Sequence, residues 1–182
     1  MSKLKVFAFS KPAAVLLVLG WLATTRAAAT PAASTIPLAD NIQVSAQISP
    51  EQLTSIKAQG FRTVIDLRPD GEALGQPSST AMAQAAKQAG LQFSYLPVPR
   101  GSHIPSAAAD TLARLLAQAP RPILMYCRSG TRAARTWALA EASRPGGLDA
   151  ASIVQHARAA GRPADDLQGQ ITQRIAARGH KP

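Results

Sequence analysis

The stretch Pro122–Trp137 decides the fold, and it reads Pro-Ile-Leu-Met-Tyr-Cys-Arg-Ser-Gly-Thr-Arg-Ala-Ala-Arg-Thr-Trp. Its first five residues form an apolar run typical of a buried strand, and a helix-forming segment starts at Thr131. Cys127 to Arg132 therefore form a strand-to-helix turn. The first N–H groups of a helix have no partner within it, and the helix dipole is positive at that end, so this turn favours an anion.

The residues of the turn indicate a reactive thiolate at Cys127. A lone cysteine after an apolar strand is usually a small buried hydrophobe. Here Arg128 and Arg132 flank it, and their positive charges favour the thiolate form. Gly130 permits a tight bend in which several backbone N–H groups converge to form an anion-binding nest. We therefore expect Cys127 to act as a nucleophile.

The first 29 residues have the pattern of a secretory signal peptide. Lysines at positions 3, 5 and 11 precede the apolar run 13–23, and small residues follow, with an alanine triplet at 27–29. Because the apolar run is short for a membrane span, we expect cleavage and no stable membrane insertion. The sequence thus predicts a secreted or periplasmic protein with a signal peptide at 1–29, a linker at 30–40 and a catalytic domain at 41–182.

The composition of the chain indicates which kinds of partner it can bind. Loss of the signal peptide lowers the formal net charge from +10 to +6. The sequence contains no dense Lys/Arg run with interleaved aromatic residues, so it gives no sign of nucleic-acid binding. The arginines near Cys127 would instead attract small anions to the site. A single cysteine excludes an intramolecular disulfide, and the three histidines are scattered along the chain. We expect no metal and no cofactor.

Strands alternate with helices along most of the chain, which predicts a single α/β domain whose central, mostly parallel sheet has helices on both faces. The predicted strands are 41–48, 61–67, 91–98 and 122–126, and the predicted helices are 49–59, 78–89, 106–118, 131–143, 149–160 and 164–177.

Three further residues are candidates for the rim of the site. Asp66 and Arg68 lie at the carboxyl end of a predicted buried strand, which is the edge where α/β sheets bind ligands. Equally, the two residues could hold the following loop in place. His103, in the loop 99–105, is a candidate proton donor or a surface residue without a role. Arg135, one turn into the helix after Cys127, could face either the site or solvent, and solvent is the orientation we expect.

Several motifs in the same order resemble a known family, the phosphatase-like domain found in beta-lactamase-hydrolase-like proteins. These motifs are Gly60–Glu72, Gly75–Pro77, Leu96–Val98 and Tyr126–Arg132, and the similarity extends over about 42–175. The resemblance implies a dual-specificity-phosphatase-like fold. It also implies relatives that are phosphatases or sulfurtransferases, some of them fused to persulfide dioxygenases or encoded within sulfide-handling systems.

Two departures from cysteine phosphatases favour sulfur transfer. Those enzymes use Cys-x5-Arg, and here that position is Ala133 while the arginine is Arg132, which gives the Cys-x4-Arg loop of rhodanese-type sulfurtransferases. Phosphatases of this fold also use an aspartic acid from a mobile loop to protonate the leaving oxygen, and the loop 98–105 has no carboxylate. A thiolate or sulfite leaves without a proton.

The main hypothesis is therefore an exported sulfurtransferase that passes sulfane sulfur through a Cys127 persulfide. The N–H groups of Ser129, Gly130, Thr131 and Arg132 would hold the persulfide, and Arg128 and Arg132 would orient an anionic donor. A thiol would accept the sulfur, and an enzyme of sulfide oxidation is a candidate partner.

Two alternatives stay open. One is phosphomonoester hydrolysis through a phosphocysteine, with Arg132 as the phosphate clamp and His103 or Asp66 as the acid. The other is a non-catalytic protein that binds an anion or a persulfide.

Overall fold

A five-stranded sheet forms the centre of the domain. The computed structural model describes residues 31–178, so the predicted signal peptide at 1–29 lies outside the described residues. The strands are β1 (Thr35–Ala39), β2 (Ile42–Ser45), β3 (Thr63–Asp66), β4 (Gln92–Tyr95) and β5 (Ile123–Tyr126). The helices are α1 (Gln52–Ala58), α2 (Ser79–Gln88), α3 (Ser106–Gln118), α4 (Thr131–Ser143), α5 (Ala150–Ala159) and α6 (Gln168–Arg178), with a short 3₁₀ helix at Asp165–Leu167.

The strand order is β1-β2-β5-β3-β4, and every neighbouring pair is parallel except β1 with β2. This arrangement confirms the predicted mostly parallel α/β sheet. In the register, Tyr126 at the end of β5 stands between Ser45 of β2 and Asp66 of β3. The carboxyl ends of the three central strands therefore meet at one edge, and the turn that contains Cys127 leaves from it.

Helices cover both faces of the sheet, and alternate residues of β5 point to opposite faces. Leu124 and Tyr126 pack in the cluster formed with α1 and α2. Met125 and Cys127 pack in the larger cluster formed with α3 to α6, which includes the buried Trp137. Cys127 thus belongs to the α4 side of the sheet.

The structure corrects three predicted boundaries. The linker expected over 30–40 is wrong for Thr35–Ala39, which forms the antiparallel edge strand β1. An edge strand tolerates Pro37, because one of its sides needs no ladder hydrogen bond. The first helix begins at Gln52, since Ser49 forms the turn before it, and the last helix begins at Gln168 after the 3₁₀ helix.

The helices on either side of β5 have the predicted bounds, Ser106–Gln118 for α3 and Thr131–Ser143 for α4. Among residues 31–178, the helices lack the combination of length and apolar content that crossing a bilayer requires.

Candidate active site

Cys127 lies in the predicted strand-to-helix turn, between the end of β5 and the start of α4. The residue is only 1% exposed. Its Sγ accepts a hydrogen bond of 3.2 Å from the N–H of Gly130, the residue that precedes α4. A backbone donor at this position stabilises negative charge on the sulfur and on any group bound to it.

Gly130 is needed here for two physical reasons. Its φ of 87° lies in the left-handed region, which other residues rarely adopt. A Cβ on it would also lie 3.2 Å from the carbonyl oxygen of Ser45 and 3.3 Å from Nε of Arg162. The bend of the turn therefore depends on a residue without a side chain.

Two residues outside the turn hold its backbone. Arg162 Nε donates to the carbonyl oxygen of Ser129 at 3.1 Å, and the N–H of Gln47 donates to that of Arg128 at 3.3 Å. Sequence reasoning missed both residues, because their role depends on contacts between distant segments of the chain.

Arg132 lies on the first turn of α4, and its guanidinium is already engaged. Nη1 donates to the carbonyl oxygens of Val98 at 2.7 Å and Leu67 at 3.3 Å. Nη2 forms an ion pair of 2.8 Å with Glu72, and both side chains are 10% exposed. Arg132 therefore braces the loops after β3 and β4 against α4, and both of its terminal nitrogens have partners.

Glu72 is shared with a second arginine. Arg68, predicted as a rim residue, is 6% exposed and pairs with Glu72 through Nε at 3.0 Å. Its Nη1 donates to the side-chain oxygen of Gln47 at 2.9 Å. Arg68 thus fixes the loop after β3, which is the second of the two roles considered for it. Glu72 itself was not identified as a site residue from the sequence.

Arg135 does not face solvent as expected. Its side chain is 12% exposed and forms a bidentate pair with Asp166, at 2.6 and 2.7 Å. It also donates to the carbonyl oxygens of Ser102 and Pro163. The prediction treated α4 alone, whereas the loop after β4 and the 3₁₀ helix fold over this side chain.

A cavity of about 420 Å³ opens above Cys127. Its lining combines the Cys127 turn with the loop after β4 and one residue of the 3₁₀ helix: Arg100, Gly101, Ser102, Ile104, Cys127, Arg128, Ser129, Thr131, Arg132, Arg135 and Asp166. The structure thereby brings together the predicted residues Cys127, Arg128, Ser129, Thr131 and Arg132 in the lining, and Gly130 donates to the Cys127 thiol.

The two candidate acids do not line this cavity. His103 is exposed on the loop after β4, while its neighbours Ser102 and Ile104 face the cavity. Asp66 is 2% exposed, and its Oδ1 accepts the N–H of Arg68 at 2.8 Å. Burial raises the pKa of Asp66 to about 6. The Tyr126 hydroxyl lies beside this carboxyl group without a hydrogen bond of ordinary geometry, and burial raises the pKa of Tyr126 as well.

The one carboxylate among the cavity-lining residues of the described chain is Asp166. Its hydrogen bonds with Arg135 lower the pKa of that carboxyl group, so it is ionised near neutral pH. Within residues 31–178, the cavity thus combines a buried thiol, a backbone N–H donor, three hydroxyls and four guanidiniums, and it lacks a carboxylic acid poised to give up a proton.

Several solved structures with a similar fold are described as phosphatases. A candidate phosphatase from Neisseria meningitidis is similar with a TM-score of 0.65 and 29% identity, over 76% of this chain and 96% of that one. The kinase-associated phosphatase, solved with a serine in place of its catalytic cysteine, is similar in fold with a TM-score of 0.64 at 13% identity, over 84% of this chain and 99% of that one. The domain therefore has a cysteine-phosphatase fold.

The family model of the phosphatase-like domain of beta-lactamase hydrolase-like proteins matches residues 36–144, and the chain belongs to this family. A beta-lactamase hydrolase-like protein of Xylella fastidiosa is 34% identical over 106 residues, which are 58% of this chain and 24% of that protein. The match therefore spans about a quarter of the length of this relative.

Proposed function

We propose that the protein is a cysteine-dependent phosphatase that hydrolyses phosphate esters through a phosphocysteine at Cys127. One observation carries the proposal: Cys127 lines a cavity that also contains four arginines, and its Sγ accepts a hydrogen bond from the N–H of Gly130. A thiolate so placed is a nucleophile, and the cationic wall attracts the dianionic phosphoryl group. The similarity to structures described as phosphatases, one of which has a catalytic cysteine, supports phosphate over other anions.

In the first step the thiolate of Cys127 attacks phosphorus, an S–P bond forms, and the P–O bond to the leaving group breaks. In the second step water attacks the phosphocysteine, releases phosphate and regenerates the thiolate. The N–H of Gly130 stabilises charge at the sulfur, while the hydroxyls of Ser129 and Thr131 surround the phosphoryl oxygens. Arg132 holds the walls of the cavity in place through Glu72.

The test measures phosphate release from phenyl phosphate, together with the intact mass of the protein after rapid acid quenching. We expect Cys127-dependent turnover and an adduct of one phosphoryl group, both absent in the matched variant Cys127→Ser. Turnover that persists in Cys127→Ser would overturn the proposal. A cellular function retained by Cys127→Ser would instead support non-catalytic anion binding.

Sulfur transfer through a Cys127 persulfide is the second candidate function. It is favoured by the Cys-x4-Arg spacing and by a cavity whose single carboxylate is held by Arg135. The same mass measurement after treatment with thiosulfate tests it. A gain of one sulfur atom that is removed by an added thiol, without phosphate release from phenyl phosphate, would favour sulfur transfer to a thiol acceptor.

Export is a further part of the proposed function. The pattern of residues 1–29 supports a secreted or periplasmic location. Expression of the full chain in a bacterium with the native leader tests it: we expect the mature protein in the periplasmic fraction, with an amino terminus near residue 30. Retention of the uncleaved chain in the cytoplasm would contradict export.

A further inference from the structure

The four arginines that line the cavity form two groups. Arg132 and Arg135 are paired with Glu72 and Asp166. Arg100 and Arg128 are exposed, and within residues 31–178 their side chains have no hydrogen bond or ion pair. Two uncompensated guanidiniums thus share one small cavity, which favours a ligand with more than one anionic group.

Arg100 is held at the cavity by its backbone. It lies on the loop after β4, whose carbonyl oxygens at Val98 and Ser102 accept hydrogen bonds from Arg132 and Arg135 of α4. These two anchors flank Arg100 in the sequence and fix the loop over the helix that starts beside Cys127. The side chain of Arg100 is nevertheless left without a partner, as expected for a group that meets a ligand.

The described residues that line the cavity offer no proton donor, and this limits which leaving groups the site can expel. An alkoxide is a poor leaving group, so alkyl phosphates need a general acid, which is worth about a hundredfold or more. The carboxyl group of Asp166 is ionised by its pair with Arg135, and Glu72 is held by Arg68 and Arg132. A phosphate that already carries one proton and leaves as the monohydrogen dianion requires no such acid, because the second pKa of a phosphate group is about 6.

We infer that Arg100 and Arg128 form a second anion subsite for the leaving group, and that the preferred substrates are phosphoanhydrides. The inference rests on the proposed phosphatase function. The Cys127 thiolate forms the S–P bond, and the bridging P–O bond breaks with its electron pair on the departing phosphate oxygen. Arg100 and Arg128 balance that charge, and water then hydrolyses the phosphocysteine to a second phosphate.

The experiment compares kcat/KM for inorganic pyrophosphate, phenyl phosphate and glycerol 2-phosphate in the full chain. We expect that order of decreasing kcat/KM, since pyrophosphate alone carries a second phosphate and glycerol is the poorest leaving group. Arg100→Gln and Arg128→Gln should each lower the ratio of pyrophosphate to phenyl phosphate by about tenfold, because a charge-assisted contact is lost. The matched control is Arg62→Gln, an exposed arginine at the opposite end of β3, which should leave the ratio unchanged.

The outcomes separate the subsite from the proposed function. Cys127-dependent hydrolysis of phenyl phosphate without a preference for pyrophosphate, or with an unchanged ratio in both variants, would overturn the subsite and leave the phosphatase proposal intact. Hydrolysis of none of the three compounds, with no phosphoryl adduct on Cys127, would overturn the phosphatase proposal itself.

Discussion

The paired and unpaired arginines of the cavity show that the same residue type has two roles around one cysteine. Arg132 and Arg135 project from α4, are 10% and 12% exposed, and each has a carboxylate partner. Arg100 and Arg128 lie on loops, are exposed and have no partner within the described chain. The first pair shapes the cavity, and the second pair leaves positive charge for a ligand.

This difference shows that position in a motif does not by itself assign a role. Arg132 occupies the motif position expected to clamp the substrate, but its terminal nitrogens contact Glu72 and two backbone carbonyls. A bidentate clamp on a phosphoryl group would require at least one of these contacts to be released. Arginines that have a carboxylate partner hold the fold, and arginines without one are available to bind the ligand.

Removing the carboxylate shared by Arg68 and Arg132 should have the largest effect. In Glu72→Gln both guanidiniums lose their ion pair while they remain 7% and 10% exposed. Because uncompensated buried charge is costly, we expect the free energy of unfolding to fall by about 3 kcal/mol. Urea denaturation measures this loss, and phosphate release should decrease as the loops move away from α4.

The control for Glu72→Gln is Asp110→Asn, which removes the partner of Arg174 in an ion pair whose carboxylate is 51% exposed. Exposed pairs contribute at most about 1 kcal/mol. Equal losses in the two variants would show that Glu72 is no more than a surface partner of Arg68 and Arg132, and the distinction between paired and unpaired arginines would fail.

The pH dependence of stability tests the contribution of Asp66, which holds the backbone of Arg68. It accepts the N–H of Arg68, and burial raises its pKa from 3.8 to about 6. Between these values the folded protein binds more protons than the unfolded chain. Protonated Asp66 therefore stabilises the folded protein fully below about pH 4, and this stabilisation is lost as the pH rises through about 6. The free energy of unfolding should fall by roughly 2 kcal/mol over this range.

Asp66→Asn isolates this contribution, because asparagine keeps an oxygen that can accept the N–H of Arg68. Urea denaturation at pH 4.5, 5.5 and 7 should show the wild type losing stability relative to the variant as the pH rises. A constant difference between the two proteins across this range would mean that Asp66 does not titrate there.

The turn around Cys127 was predictable because its determinants are local. The apolar run, the glycine and the helix that starts at Thr131 are contiguous, and α3 and α4 have the predicted bounds. Strand β1 was not predictable from the same cues. Its residues resemble a Pro/Ala linker, and they become a strand by pairing with β2 through Ile36 and Val44.

The chemistry of the site was predictable only for residues next to Cys127. Glu72, Asp166 and Arg162 act on the turn from separate segments of the chain, so no sequence spacing reveals them. The outward orientation expected for Arg135 failed for the same reason, since its partner belongs to another element. Contacts between loops at one sheet edge are set by the tertiary fold.

The smallest expected effect comes from releasing Arg135. In Asp166→Asn the side chain of Arg135 loses its bidentate carboxylate partner and becomes a third guanidinium without an ion pair in the cavity, held only by the carbonyl oxygens of Ser102 and Pro163. Stability should fall by about 1 kcal/mol or less, because Asp166 is 58% exposed. The affinity for inorganic phosphate, measured as product inhibition of phenyl phosphate hydrolysis, should rise several-fold because the uncompensated charge increases.

A matched variant is provided by the neighbouring residue. Asp165 pairs with Arg158, which does not line the cavity, so Asp165→Asn makes the same change in net charge without freeing a cavity arginine. Tighter phosphate inhibition in Asp166→Asn alone would show that pairing controls the affinity of the cavity for anions. The same change in both variants would assign it to the overall charge of the protein, and added salt would then weaken both equally.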